Sequence, residues 1–100
     1  MVKEIIWSHA AEREKNEILR FWFVHNQSPT YSIKLDDLIN QAVELLPYYP
    51  FMGRKTDFGK VRLIVVENCL ILYEVTETQI LILSIADGRQ DPDKIKTRLE

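Results

Sequence analysis

Arg54, Lys55, Lys60 and Arg62 crowd into residues 54–62, where Asp57 is the one acid, for a local charge of +3. Such cations can hold the oxygens of a phosphate, and they can stabilise charge that develops during phosphoryl transfer. Lys60 and Arg62 are two positions apart. In an extended strand that spacing puts both on one face, about 7 Å apart at roughly 3.3 Å per residue. Arg54 and Lys55 precede them in a loop, and Arg89 follows the last strand-like segment. If the strands between lie side by side, these charges can converge at one end of a sheet. The other reading of the same residues is solvated surface charge beside Asp57, Asp87 and Asp91.

No second constellation competes with this one. His9 and His25 lack a Cys or carboxylate at metal-ligand spacing, so neither a metal nor a cofactor is expected. There is no Ser/His/Asp signature, no glycine-rich phosphate loop and no Cys-x-x-Cys. His25 suits the C-terminal end of a helix, where the dipole favours positive charge. Tyr73 falls mid-strand with Cys69, Ile71 and Val75 on its face. That points to core packing, with a hydroxyl available at an edge.

The totals set limits on what the cluster can do. The chain of 100 residues carries a net charge of −2, which gives no general attraction to nucleic acid. A polyanion site would have to be local. The single Cys69 cannot close an internal disulfide, which suits a reducing cytosol. No apolar run approaches the length of a membrane span and the N-terminal residues carry no cleavage signature, so a cytoplasmic protein is expected. The length predicts one domain over residues 1–100.

The elements that would position the cluster follow from periodicity. Residues 3–8 read as a short strand. Ser8 is an N-cap, with Glu12 and Glu14 in the first turn of a helix from about His9 to His25, where Ile18, Phe21, Trp22 and His25 recur at helical spacing. Asn26 to Pro29 breaks it, with Ser28 as the next N-cap and Pro29 as the first helical residue. Tyr31, Leu35, Leu38, Ala42 and Leu45 then form an apolar stripe, broadened by Ile39 and Leu46, that ends at Pro47. Tyr48 to Gly59 reads as a loop. Strands are predicted at Lys60–Val66, Cys69–Thr76 and Gln79–Ile85, joined at Glu67-Asn68 and near Glu77-Thr78. Residues 93–99 suggest a short charged helix. The fold class is α+β in the order β-α-α-β-β-β, a helical hairpin packed on a small, mainly antiparallel sheet.

The opening Ile-Ile-Trp-Ser, the two helices, Val61-Arg62-Leu63-Ile64-Val65, Leu72-Tyr73-Glu74-Val75 and the closing Ile82-Leu83-Ser84-Ile85-x-Asp87-x-Arg89-Gln90-x-Pro92 together resemble the RelE/ParE superfamily of bacterial type II toxins. The resemblance covers nearly the whole chain. It implies a toxin neutralised by a cognate antitoxin whose extended segment wraps it, in a toxin–antitoxin hetero-oligomer. It also implies one of two activities. RelE-like members cleave mRNA on the ribosome, and Lys60, Arg62 and Arg89 match basic positions used for that cleavage. Arg54, Lys55 and Tyr73 would then contact RNA or another target. ParE-like members inhibit DNA gyrase and cleave nothing. The three basic matches favour the endoribonuclease. Leu70 stands where RelE-like members carry an Arg, Ile95 lies near the place of an expected Tyr, and Ala86 replaces a common large aromatic. These departures fit the gyrase inhibitor, or an inactive member that only binds antitoxin.

Overall fold

The computed structural model describes residues 2–88. Its elements are β1 (Glu4–Trp7), α1 (His9–Asn26), α2 (Thr30–Leu45), β2 (Arg54–Lys55), β3 (Arg62–Val66), β4 (Cys69–Val75) and β5 (Gln79–Asp87). The five strands form one sheet in the order β1-β5-β4-β3-β2. β1 runs parallel to β5, and every other pair is antiparallel. The fold is the expected α+β arrangement, with the predicted order extended by β2.

Short polar contacts set the helix ends. The Ser8 hydroxyl accepts from the Ala11 amide (3.0 Å) and donates to the Leu83 carbonyl (3.0 Å). One side chain thus caps α1 and ties it to β5. Gln27 ends α1 in the left-handed region (φ 51°). Pro29 is the N-cap of α2, not its first helical residue, and Ser28 accepts from the Thr30 amide.

The buried faces differ from the predicted stripes by a rotation. Ala11, Glu14 and Ile18 of α1 turn inward, while Phe21 is half exposed. In α2 the buried line is Leu35, Ile39 and Val43, continued by Leu46, and Leu45 stays outside. Against these helices lie Ile64, Ile71, Tyr73, Ile80, Ile82 and Ile85 from three strands. Each buried aliphatic side chain contributes about 1.5–3 kcal/mol through water exclusion.

Two local features depart from a regular sheet. Pairing shifts between Leu72 and Tyr73, which face Ser84 and Ile82, so Leu83 is the extra residue of a bulge in β5. Polar groups of α1 meet it there. Beside the Ser8 bond to Leu83, the buried Glu14 carboxylate accepts from the Ser84 hydroxyl (2.9 Å) and the Ile85 amide (3.4 Å). Glu14 was expected in the first turn of the helix, where charge alone would place an acid beside the amide ends. It is instead an acceptor for the sheet. The second feature is β2, a two-residue strand inside the segment expected to be loop. It pairs Arg54 with Leu63 and Lys55 with Arg62.

Candidate functional site

The loop between α2 and β2 is built over the start of β3 by two residues that face each other across the sheet. Arg62 and Tyr73 are cross-strand partners. The Tyr73 hydroxyl donates to the Pro50 carbonyl and accepts from the Gly53 amide, both at 2.9 Å. Arg62 Nη1 donates to the carbonyls of Gly53 (2.8 Å) and Phe51 (3.2 Å). Its guanidinium carbon also lies 4.9 Å from the centre of the Phe51 ring. Gly53 is required by this closeness, since a Cβ there would stand 2.5 Å from the Tyr73 oxygen and 2.7 Å from its ring. Burial pushes the Tyr73 pKa up. The bond from Gly53 and the charge of Arg62 oppose that shift without cancelling it.

Tyr73 was expected to contact a target. It is fully buried, and its hydroxyl bonds to the loop.

The basic residues divide. Lys60 does not share a strand with Arg62: it lies in the turn before β3, where Gly59 takes a left-handed φ of 60°. Thr56 holds that turn, donating from Oγ1 (2.8 Å) and from its amide (3.3 Å) to the Val61 carbonyl. Lys55, Lys60 and Arg62 nevertheless line one pocket of ≈ 290 Å³ with Phe51, Gly59, Val61 and Val75. Arg54 is separated from them. Paired with Leu63, it falls on the sheet face opposite to Arg62.

The described part of β5 runs to the opposite end of β3 from Arg62. β5 ends at Asp87, which pairs with Cys69. That is the same end of the sheet as Val66, four residues along β3 from Arg62 and so roughly 13 Å away. Arg89 itself lies outside the described residues, as do Ile95 and the predicted terminal helix. Two of the departures from the RelE-like pattern meet here, since Leu70 and Ala86 are cross-strand partners and Ala86 is fully buried.

A backbone-tied arginine and two exposed lysines around one pocket can bind an anion. Among the described residues no group of His, Cys, Asp and Glu could hold a metal ion. No described helix is long and apolar enough to cross a membrane.

Residues 5–92 match the family of ParE toxins of parDE type II toxin–antitoxin systems. The chain belongs to the ParE toxin family. A ParE-family chain has an antitoxin as its partner. A solved chain from the chromosomal ParDE toxin–antitoxin system of P. aeruginosa shares this fold, with a TM-score of 0.76 at 21% identity. That likeness covers 86% of this chain and 96% of the other. Comparison with curated proteins gave no match.

The loop of this ParE-family site was read from the sequence, but its fastenings were not. The bonds run to backbone carbonyls and an amide, which leave no mark in residue types. Glu14 did leave a signal. Ala11, Glu14 and Ile18 step by three and four along the face that turns inward.

Proposed function

We propose that this ParE-family toxin arrests growth in the bacterial cytoplasm by binding DNA gyrase, without cleaving RNA itself. The observation that carries this reading is the match to ParE toxins over residues 5–92. Arg62 is compatible with it, since Nη1 is committed to the carbonyls of Phe51 and Gly53 and ties down the loop. Ribosome-dependent cleavage by Lys60, Arg62 and Arg89 is less well supported, because the family match is to ParE toxins.

The test is a gyrase supercoiling assay run beside primer extension on mRNA from a translating extract. Blocked supercoiling with intact mRNA is the expected result. Cleaved mRNA with normal supercoiling would overturn the proposal. Expression without antitoxin is expected to stop growth, and normal growth would point to a member that only binds its antitoxin.

A further inference from the structure

The outer face of α1 carries a pattern that the core does not use. Arg13, Glu17, Arg20 and Val24 step by four, three and four, so they form one line along the helix. All four are exposed, on the side away from the buried Ala11, Glu14 and Ile18. Glu17 and Arg20 lie three apart on one helix, yet neither is in an ion pair among the described residues. Two shallow hollows border the line and share these two residues. One, of ≈ 420 Å³, continues to Phe21 and Val24, and the other, of ≈ 400 Å³, to Arg13 and Asn16.

Alternating four-three spacing is the seam by which one helix packs along another. The order of the charges decides what fits it. Consider a second copy of α1 laid antiparallel, with a two-fold axis level with the middle of the Glu17–Arg20 step. Glu17 of each copy then stands opposite Arg20 of the other, and Arg13 of each opposite Val24 of the other. The hollow beside Val24 meets the hollow beside Arg13. Val24 is 64% exposed, and the methylenes of an arginine can cover it while the charged head stays in water. A parallel copy would stack Arg13 on Arg13, Glu17 on Glu17 and Arg20 on Arg20, which is like charge in three layers. A partner of a single charge sign would leave either Glu17 or the two arginines unmet. The line is complementary to itself, and in one direction only.

We infer that the toxin self-associates through α1 as a two-fold antiparallel pair, with two Glu17–Arg20 ion pairs astride the axis and Val24 covered by Arg13 at each end. From Arg13 to Val24 the seam is roughly 17 Å long at about 1.5 Å per residue. Such a contact is smaller than a standard interface, so the pair is reversible, with a dissociation constant of about 1–100 μM. This inference does not rest on the gyrase reading.

Sedimentation equilibrium of the toxin free of antitoxin, over concentrations that span that range, tests it. The mean mass is expected to rise from monomer towards dimer. Glu17→Arg sets like charges opposite each other twice, and so does Arg20→Glu. Each variant is expected to weaken the dimer at least about tenfold. Both positions are exposed, so the unfolding midpoint, measured alongside, should stay near that of wild type. Mixing the two variants in equal amounts separates pairing between copies from any effect within one helix. In the mixture each copy meets the opposite charge across the axis, while like charges remain side by side on each helix. The mixture is therefore expected to recover the dimer that neither variant forms alone. A wild-type protein that stays monomeric would overturn the inference. So would wild-type association of either variant, or a mixture no more associated than its components. Antitoxin binding is titrated in parallel and should be unchanged in both variants. Its loss, with a monomeric wild type, would assign this face to the antitoxin and overturn the inference as well.

Discussion

Arg62 and Tyr73 face each other across β3 and β4, and both fasten the same short stretch of backbone, Pro50 to Gly53. The loop that carries the exposed Tyr48, Tyr49, Phe51 and Met52 is therefore anchored from the sheet beneath it. Binding by such a loop pays little ordering cost at the anchored residues.

Tyr73→Phe should loosen that anchor without emptying the core. The ring stays, but the Gly53 amide and the Pro50 carbonyl each lose a partner. A loss of about 1–3 kcal/mol is expected, read as a lower denaturant midpoint at unchanged slope. Hydrogen exchange at the Gly53 amide should accelerate well beyond the global change.

The same hydroxyl sets an alkaline limit. Its pKa is raised above the ordinary 10.0, by burial foremost. The folded state thus holds the proton at pH values where the unfolded chain releases it. Its contribution to stability is complete below pH 10.0 and is lost as pH rises from there through the folded value. Unfolding midpoints measured from neutral to alkaline pH should show this fall in wild type. Tyr73→Phe should lack this component.

Gly53→Ala should destabilise by more than a usual loop substitution. Its Cβ would also lie 3.0 Å from the Leu63 carbonyl, so both the Tyr73 ring and β3 would have to move. About 1–3 kcal/mol is expected, measured by thermal unfolding. Combined with Tyr73→Phe the cost should be less than additive, because the two changes disrupt one contact.

Glu14 offers a contrast between charge and hydrogen bonding. Glu14→Leu leaves the Ser84 hydroxyl and the Ile85 amide without this acceptor inside the protein. About 1–3 kcal/mol should be lost. Glu14→Gln keeps an acceptor oxygen and should cost less. If the two variants unfold at the same denaturant concentration, the carboxylate oxygen is not serving the bulge.

The sequence carries the elements better than their fastenings. β3, β4 and β5 were legible because β-branched residues and two short turns mark them, and α1 and α2 because apolar residues recur at helical spacing. β2 was not, since Arg54-Lys55 has neither alternation nor apolar character and is a strand only through its pairing with Arg62 and Leu63. The two stripes were read a fraction of a turn off because Phe21 and Leu45 are apolar yet exposed. At the site, Lys55, Lys60 and Arg62 were visible as a cluster in the chain, and the pocket does gather them. What residue types could not reveal is how the loop over this pocket is fastened, because its bonds run to backbone carbonyls and an amide.

The pairing of β1 with β5 bears on how a cell makes this toxin. Glu4 to Trp7 is synthesised early, yet its partner strand is Gln79 to Ile82, and the Ser8 cap reaches across 75 residues to Leu83. Contacts this remote in the chain form late and slow the folding step. The start of a nascent chain must therefore wait, unpaired, until β5 has been translated. Any product of interrupted synthesis that stops short of β5 would lack the strand that joins β1 to β4, and with it the tie that holds the head of α1 to the sheet.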